Sequence, residues 1–257
     1  HKGEERISTI RVPDSRIDIL SEMYTPQKTT YAQVEYFLPG TVSANKDQSI
    51  WTAARDCDAL IHVIRNHTAS GFEKKSPYED FVNMDQELIL ADLVVVEKRL
   101  ERLELDQRRG KKMDPQEHSL LVECHKNLEE ETPLRRVAEL ASARSLRGFA
   151  FLSAKPMLAL FNNDDEDDQL PDIGQITHVE DCLVIRGKLE QELAQMSTED
   201  AADFLNEFNI SESAMNKVIG QSYSLLGLIS FLPWAVTKSG PGVLKATPRR
   251  WMPPKPS

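Results

Sequence analysis

Between Tyr78 and Arg108 the sequence reads YEDFVNMDQELILADLVVVEKRLERLELDQR, and no other stretch restricts the fold as much. Apolar residues recur at Val82, Ile89, Leu93, Val96, Leu100 and Leu103, in steps of three and four once Gln86 is passed over, which is the seam of a long amphipathic helix. The first half also carries Leu88, Leu90, Ala91, Val94 and Val95 and is apolar nearly all round. Past Val96 only the narrow seam remains among Glu97, Lys98, Arg99, Glu101, Arg102 and Glu104. Such a helix starts buried against a domain and leaves it as one arm of a coiled-coil hairpin. The other arm follows at once. Arg109 to Pro115 is a polar turn with Asp114 as a cap and Pro115 at a first helical position, and Leu121, Cys124 and Leu128 then repeat the seam until Pro133 ends it.

A net charge of -10 over 257 residues argues against a broad phosphate-binding surface, which needs Lys and Arg clustered on one face. Two local exceptions are Arg108, Arg109, Lys111 and Lys112 at the hairpin turn, and Arg249 with Arg250; charge runs of this kind are usually just solvated. Cys57, Cys124 and Cys182 form no CxxC and no metal-ligand spacing with any histidine, as expected of a reduced, cytoplasmic protein. No apolar run approaches the roughly 20 residues that span a bilayer, so no membrane partner is expected. There is no G-x-S-x-G, no H-E-x-x-H and no credible Cys-His pairing.

Around the hairpin, β-type and α-type segments alternate. Residues 7–12 read as a strand, Pro13 and Asp14 as the start of a helix through Met23, and 32–38 as a second strand ended by Pro39 and Gly40. A short helix at 50–56 precedes 57–65, an apolar run with the look of a buried parallel strand. Its His62 is expected to be a core residue rather than a catalyst. After the hairpin come a trailing helix at 134–145, a buried strand behind Lys155-Pro156 that runs into the acidic stretch Asn162 to Asp168, and a last strand at 182–185. Ser197 with Asp200 caps a helix at 199–206, and Ser211 opens another through Leu226. Residues 229–257, with six prolines, cannot make a sheet on their own. This alternation implies an α/β fold, a parallel sheet flanked by helices with the helical hairpin inserted. Ligands then belong at the strand C-termini, where Gly40, Arg65, Asn162 and Arg186 lie.

The run from Asn83 to Glu104, NMDQELILADLVVVEKRLERLE, closely resembles the signature of the YchF-type Obg-like ATPases, in which an antiparallel hairpin is inserted into a P-loop-GTPase-like domain. Val12, Pro13, Asp14, Arg16 and Asp18 match that family, as does the strand holding Ile61, His62, Val63, Ile64 and Arg65. The resemblance runs from Ile7 to about Leu232. It implies a nucleotide-binding domain at 1–76 and 148–228, an inserted hairpin at 77–147, and a remnant of a TGS-like C-terminal region at 229–257. It also implies ATP or GTP as ligand, with or without Mg²⁺, and a ribosome or RNA partner met by Arg108, Arg109, Lys111 and Lys112.

The chemistry of the family matches less well. No G-x-x-x-x-G-K-[ST] loop occurs in these residues, and Leu38-Pro39-Gly40 stands where the family has aspartate, two residues and glycine. A leucine has no lone pair for a metal, which leaves hydrolysis open. For the base, a match without gaps from Lys155-Pro156 places Asn162 and Asp165 on the family's asparagine and glutamate. A slip of one residue pairs Asn163 with Glu166 instead. A carboxylate there suits guanine, whose edge offers two adjacent donors; adenine offers one donor beside an acceptor. The base is therefore undecided. Arg186 and Lys188 fall in the family's serine-alanine-lysine loop over the base, with Arg186 in place of serine, and Gly40 on the γ-phosphate side. Two functions remain: a nucleotide-binding, ribosome-associated switch, or a catalytically inactive pseudo-GTPase that binds partners through its hairpin.

Overall fold

The computed structural model describes residues 5–26, 28–40, 47–68, 75–174, 180–207, 213–231, 234–237, 240–245 and 247–250, with backbone alone from 229 onward. Contacts divide the chain into two compact units, His1–Thr41 with Gly187–Ser257, and Val42–Arg186.

In the first unit, β1 (Arg6–Arg11) pairs antiparallel with β3 (Gln33–Leu38). Between them lie α1 (Ser15–Tyr24) and the short β2 (Lys28–Thr30). The start of α1 is the expected one: the Asp14 carboxylate accepts the Arg16 amide at 3.1 Å. Helices α6 (Gly187–Leu193), α7 (Thr198–Glu207) and α8 (Ala214–Leu225) complete the unit, and Val12, Ile17, Ala32, Val34 and Ile219 form its core. Ser197 and Asp200 make the expected cap on α7, the Asp200 amide donating to the Ser197 hydroxyl at 3.2 Å. The expected opening of the next helix at Ser211 lies outside the described residues; α8 begins at Ala214 with Ser213 as its cap. Four short strands follow: β7 (Leu228–Phe231), β8 (Trp234–Thr237), β9 (Gly240–Lys245) and β10 (Thr247–Arg250). β7 pairs with β10, and β9 pairs with β8 and, in parallel, with β2. The proline-rich end thus forms strands after all, but its three-stranded sheet borrows β2 from residues some two hundred positions away.

The second unit holds the parallel sheet. α2 (Asp47–Asp56) leads into β4 (Leu60–Asn66), which pairs in parallel with β5 (Met157–Asn163), itself parallel to β6 (Asp181–Ile185). β5 is central and buried on both faces, which is why its sequence is a continuous apolar run rather than an alternating one. Met157, Ala159 and Phe161 point to one side, where Ile64, Phe81, Leu88 and Leu152 pack on them. Among the described residues β4 pairs with β5 alone, so its other edge carries no strand.

The hairpin is α3 (Pro77–Arg108) and α4 (Pro115–Glu129). The seam residues Ile89, Val96, Leu103, Leu121, Cys124 and Leu128 are buried together, with Leu93 and Leu100 packed against them; Val82 joins the sheet core instead. Asp114 accepts the Gln116 amide at 3.0 Å, and Gly110 takes the left-handed turn with φ +76, a conformation that favours glycine. The first half of α3 is less covered than its composition suggests: Leu90 and Val94 face outward.

α3 runs antiparallel to the strands. Phe81 stacks on His62 in the middle of β4, with ring centroids 5.7 Å apart, while eleven positions later Asp92 bonds the amides of Leu152 and Ser153, ahead of β5. The hairpin therefore leaves the sheet at the strand N-termini. Its base is locked by two buried carboxylates one heptad apart, neither of which stood out in the sequence. Asp92 accepts both amides at 3.0 and 2.7 Å and pairs with Arg55 at 2.9 Å. Asp85 pairs with Arg135, which also binds Glu180 ahead of β6. This explains a difference from the expected trailing helix at 134–145. The segment is broken into a 3-10 turn (Leu134–Arg136), a short α5 (Ala138–Ser142) and a second 3-10 turn (Arg144–Phe149), because Arg135 and Arg136 turn inward to Asp85 and Glu180.

Candidate functional site

The C-terminal edge of the parallel sheet gathers most of the residues singled out in the sequence. β4 ends on Arg65 and Asn66 and β5 on Asn162 and Asn163, the two pairs lying opposite one another, and Ile185 of β6 lies opposite Asn162. Successive residues of a strand face opposite sides, so the two asparagines have different surroundings. Asn163 is 3% exposed, on the side packed by α3. Its Oδ1 accepts from Asn66 Nδ2 at 2.9 Å, and its Nδ2 donates to the Gln169 carbonyl at 2.7 Å. Asn162 lies half-buried on the other side.

The acidic stretch beyond β5 is a closed turn rather than a loose solvated run. The Asp164 carboxylate accepts the Thr68 amide at 3.1 Å and lies 3.8 Å from Lys75. The Asp167 amide donates to the Asp164 carbonyl at 3.0 Å, and Gln169 N donates to the Asp167 carboxylate at 3.1 Å. Arg186, at the end of β6, donates to the Asp165 carbonyl at 3.4 Å. Asp165 is half-buried in the turn and Glu166 is exposed. The second unit thus brings together Asn162, Asp165, Glu166 and Arg186.

Gly40 and Lys188 belong to the other compact unit. Gly40 follows Leu38 and Pro39 at the end of β3, and the Leu38 side chain is exposed there. Residues 41–46, which follow Gly40, lie outside the described residues. Lys188 is exposed in the first turn of α6. Its neighbour Glu190 has a structural task, accepting the amides of Ala214 and Met215 at 2.8 and 3.4 Å to cap α8. Among the described residues no group of three or more His, Cys, Asp or Glu side chains could hold a metal ion.

His62 lies partly buried in the middle of β4, against the sheet core. It stacks on Phe81, and burial pushes its imidazole down to about 4, so it is neutral near pH 7. Cys124 is likewise neutral: burial in the hairpin seam pushes its thiol up to about 12.

At the hairpin tip, the four cations are exposed but not all unopposed. Arg108 lies 3.7 Å from Glu104, and Lys111 lies 2.8 Å from Asp106 and holds that carboxyl below its ordinary range. The positive charge at the tip is thus reduced by its own helix. The second basic candidate, Arg249 with Arg250, lies on β10. Asn66, Asn163, Asp164 and Lys75 were not readable as partners in sequence, since they are separated by up to about a hundred positions. The repeated Asn at the end of a predicted strand was the one available hint.

No family model matches the chain. Curated proteins do resemble it. The ribosome-binding ATPase YchF of Bacillus subtilis is 29% identical over 248 residues, covering 89% of this chain and 68% of the relative. That of Escherichia coli O157:H7 is 27% identical over 245 residues, with the same coverage. A solved structure, the YchF GTPase of Schizosaccharomyces pombe, superposes with a TM-score of 0.78 at 20% sequence identity, over 95% of this chain and 70% of that one. The chain therefore spans about two thirds of the length of these relatives, and the α/β fold with its hairpin is the fold they share.

Proposed function

We propose that the chain is a divergent relative of the YchF-type Obg-like ATPases and a nucleotide-binding protein of the ribosome-associated switch type, working in the cytoplasm. The relatives are named as ribosome-binding ATPases, and the yeast structure as a GTPase, so both bases remain candidates for this chain. The observation that carries the reading is the end of β5. Asn162 and the closed turn after it sit at the C-terminal edge of a parallel sheet, where open α/β folds bind ligands.

Within the second unit the base docks against Asn162 and Asp165, with Glu166 and Arg186 as further contacts; for the first unit, the family resemblance assigns Lys188 to the loop over the base and Gly40 to the phosphate side. The use of both ends of the Asn163 amide in structural bonds supports the gap-free alignment over the slipped one. Any Mg²⁺ would arrive on the nucleotide's phosphates. The domains read as 1–76 with 148–228 for the nucleotide, 77–147 for the hairpin, and 229–257 as a TGS-like remnant.

Titration with fluorescent ATP and GTP tests the site. Asn162→Ala should weaken the preferred nucleotide about tenfold or more, as expected when a hydrogen-bonded base loses its partner. Unchanged affinity in the folded variant removes Asn162 from the site.

A second reading, a catalytically inactive pseudo-GTPase that binds partners through its hairpin, is favoured by Leu38. An exposed leucine at the metal-sensing position provides no ligand, so slow or absent hydrolysis is expected. Steady phosphate release well above a protein-free control would contradict this. A G-x-x-x-x-G-K-[ST] loop encoded upstream of His1 favours the switch, and its absence there favours the pseudo-enzyme.

A further inference from the structure

From the end of the sheet we infer that Asn66 is a specificity-determining positioning residue: through Asn163 it holds the turn 164–169 in the shape that presents Asn162 and Asp165 to a base. The inference deepens the nucleotide reading and rests on it. Asn66 and Asn163 are 4% and 3% exposed and lie opposite each other at the ends of two parallel strands. Their side-chain amides form a relay with one direction. Asn66 Nδ2 donates to Asn163 Oδ1, which leaves Asn163 Nδ2 to donate to the carbonyl of Gln169, six residues further on. The Gln169 carbonyl can only accept, so it fixes which end of the Asn163 amide faces it, and Asn66 supplies the donor that the buried Oδ1 at the other end requires. The Asn163–Gln169 bond then closes the turn, and the donation of Asp167 N to the Asp164 carbonyl tightens it.

The same turn is tied to the segment before α3. Lys75, just ahead of the helix, donates to the Asn66 carbonyl at 3.3 Å and lies 3.8 Å from Asp164, whose carboxylate also accepts from Thr68 N. A buried amide costs free energy when its partner is lost, so the relay holds its geometry or breaks as a unit. Neither asparagine touches the base. Asn66 acts by fixing where Asn162 and Asp165 stand, and its loss should blur discrimination between bases more than it weakens the hold on phosphates.

The test uses the product of the whole open reading frame, titrated with fluorescent ATP and GTP and with tripolyphosphate as a base-free competitor. Asn66→Ala should weaken the better-bound nucleotide about tenfold and bring the ATP to GTP affinity ratio to within about twofold of unity, while tripolyphosphate competes as before. Amides 164–170 should exchange faster with solvent, with the circular dichroism spectrum retained. Asp164→Ala, at a side chain 43% exposed and tolerant of truncation, should move the ratio the same way by less, which keeps the test valid if Asn66→Ala does not fold. A ratio unchanged in folded variants overturns the positioning role and leaves the nucleotide site standing. A wild-type protein that binds neither nucleotide overturns the nucleotide reading itself, and this inference with it.

Discussion

His62 and Asp92 show how much a single buried group can decide. The imidazole of His62 is neutral in the folded chain down to about pH 4, whereas in the unfolded chain it protonates near 6.5, because burial against Phe81 disfavours its charge. Its folded pKa is depressed, so its contribution is complete above about pH 6.5 and is lost as pH falls from about 6.5 to about 4. The difference in unfolding free energy between wild type and His62→Leu should therefore shift by up to about 3 kcal/mol across that window, read by denaturant titration at several pH values. A difference that stays flat with pH would place the imidazole in solvent. Asp92 is fully buried and holds two backbone amides and Arg55. Asp92→Ala takes the acceptor from both amides and the counter-charge from Arg55, which keeps only the carbonyls of Ala150 and Ala91, and should cost about 3–5 kcal/mol, the range for breaking a buried ion pair from one side. A loss under about 1 kcal/mol would mean that water takes over these bonds.

At the scale of elements, the hairpin separates a hydrophobic requirement from an electrostatic one. Leu121 is fully buried in the seam, so Leu121→Ala should lower stability by about 2–5 kcal/mol in chemical denaturation without touching the tip. The tip cations contribute little to folding, since their pairs with Glu104 and Asp106 are exposed and worth under about 1 kcal/mol. Replacing Arg108, Arg109, Lys111 and Lys112 by serine should therefore leave helical circular dichroism and melting temperature nearly unchanged. On a chain of net charge -10, the same change should weaken ribosome co-sedimentation at low salt, an effect that added salt masks. Intact co-sedimentation in the folded variant would exclude the tip from the ribosome-binding surface.

Across the whole molecule, the direction of α3 sets the two proposed sites apart. The helix begins near the strand C-termini, passes the sheet antiparallel to β4, and carries sixteen residues beyond Asp92 to Arg108, a rise of roughly 24 Å. The tip therefore projects from the opposite edge of the sheet to Asn162 and Asp165. Sites so far apart with no shared partner act nearly additively, so the four-serine variant should keep its nucleotide affinity to within about twofold. A larger change in a nucleotide titration would show that α3 transmits a signal between them.

The long seam was legible because helix periodicity is local: a three-and-four spacing from Ile89 to Leu103 demands a covering partner wherever it occurs, and Leu121, Cys124 and Leu128 are near enough in sequence to be recognised as that partner. Strand β5 and the caps Asp14, Asp114 and Ser197 were legible for the same reason, each being a property of a few consecutive residues. Tertiary structure alone decided the rest. That Asn163 is a structural amide while Asn162 faces the other side depends on the register of β5 against β4, which puts Asn66 beside Asn163 across ninety-seven positions. That Asp85 and Asp92 are buried, in a helix whose pattern would place carboxylates in solvent, depends on Arg135 and Arg55 and on the amides ahead of β5 arriving to pair them. A buried charge is tolerated only when partners surround it, and those partners come from segments that local sequence pattern cannot bring together.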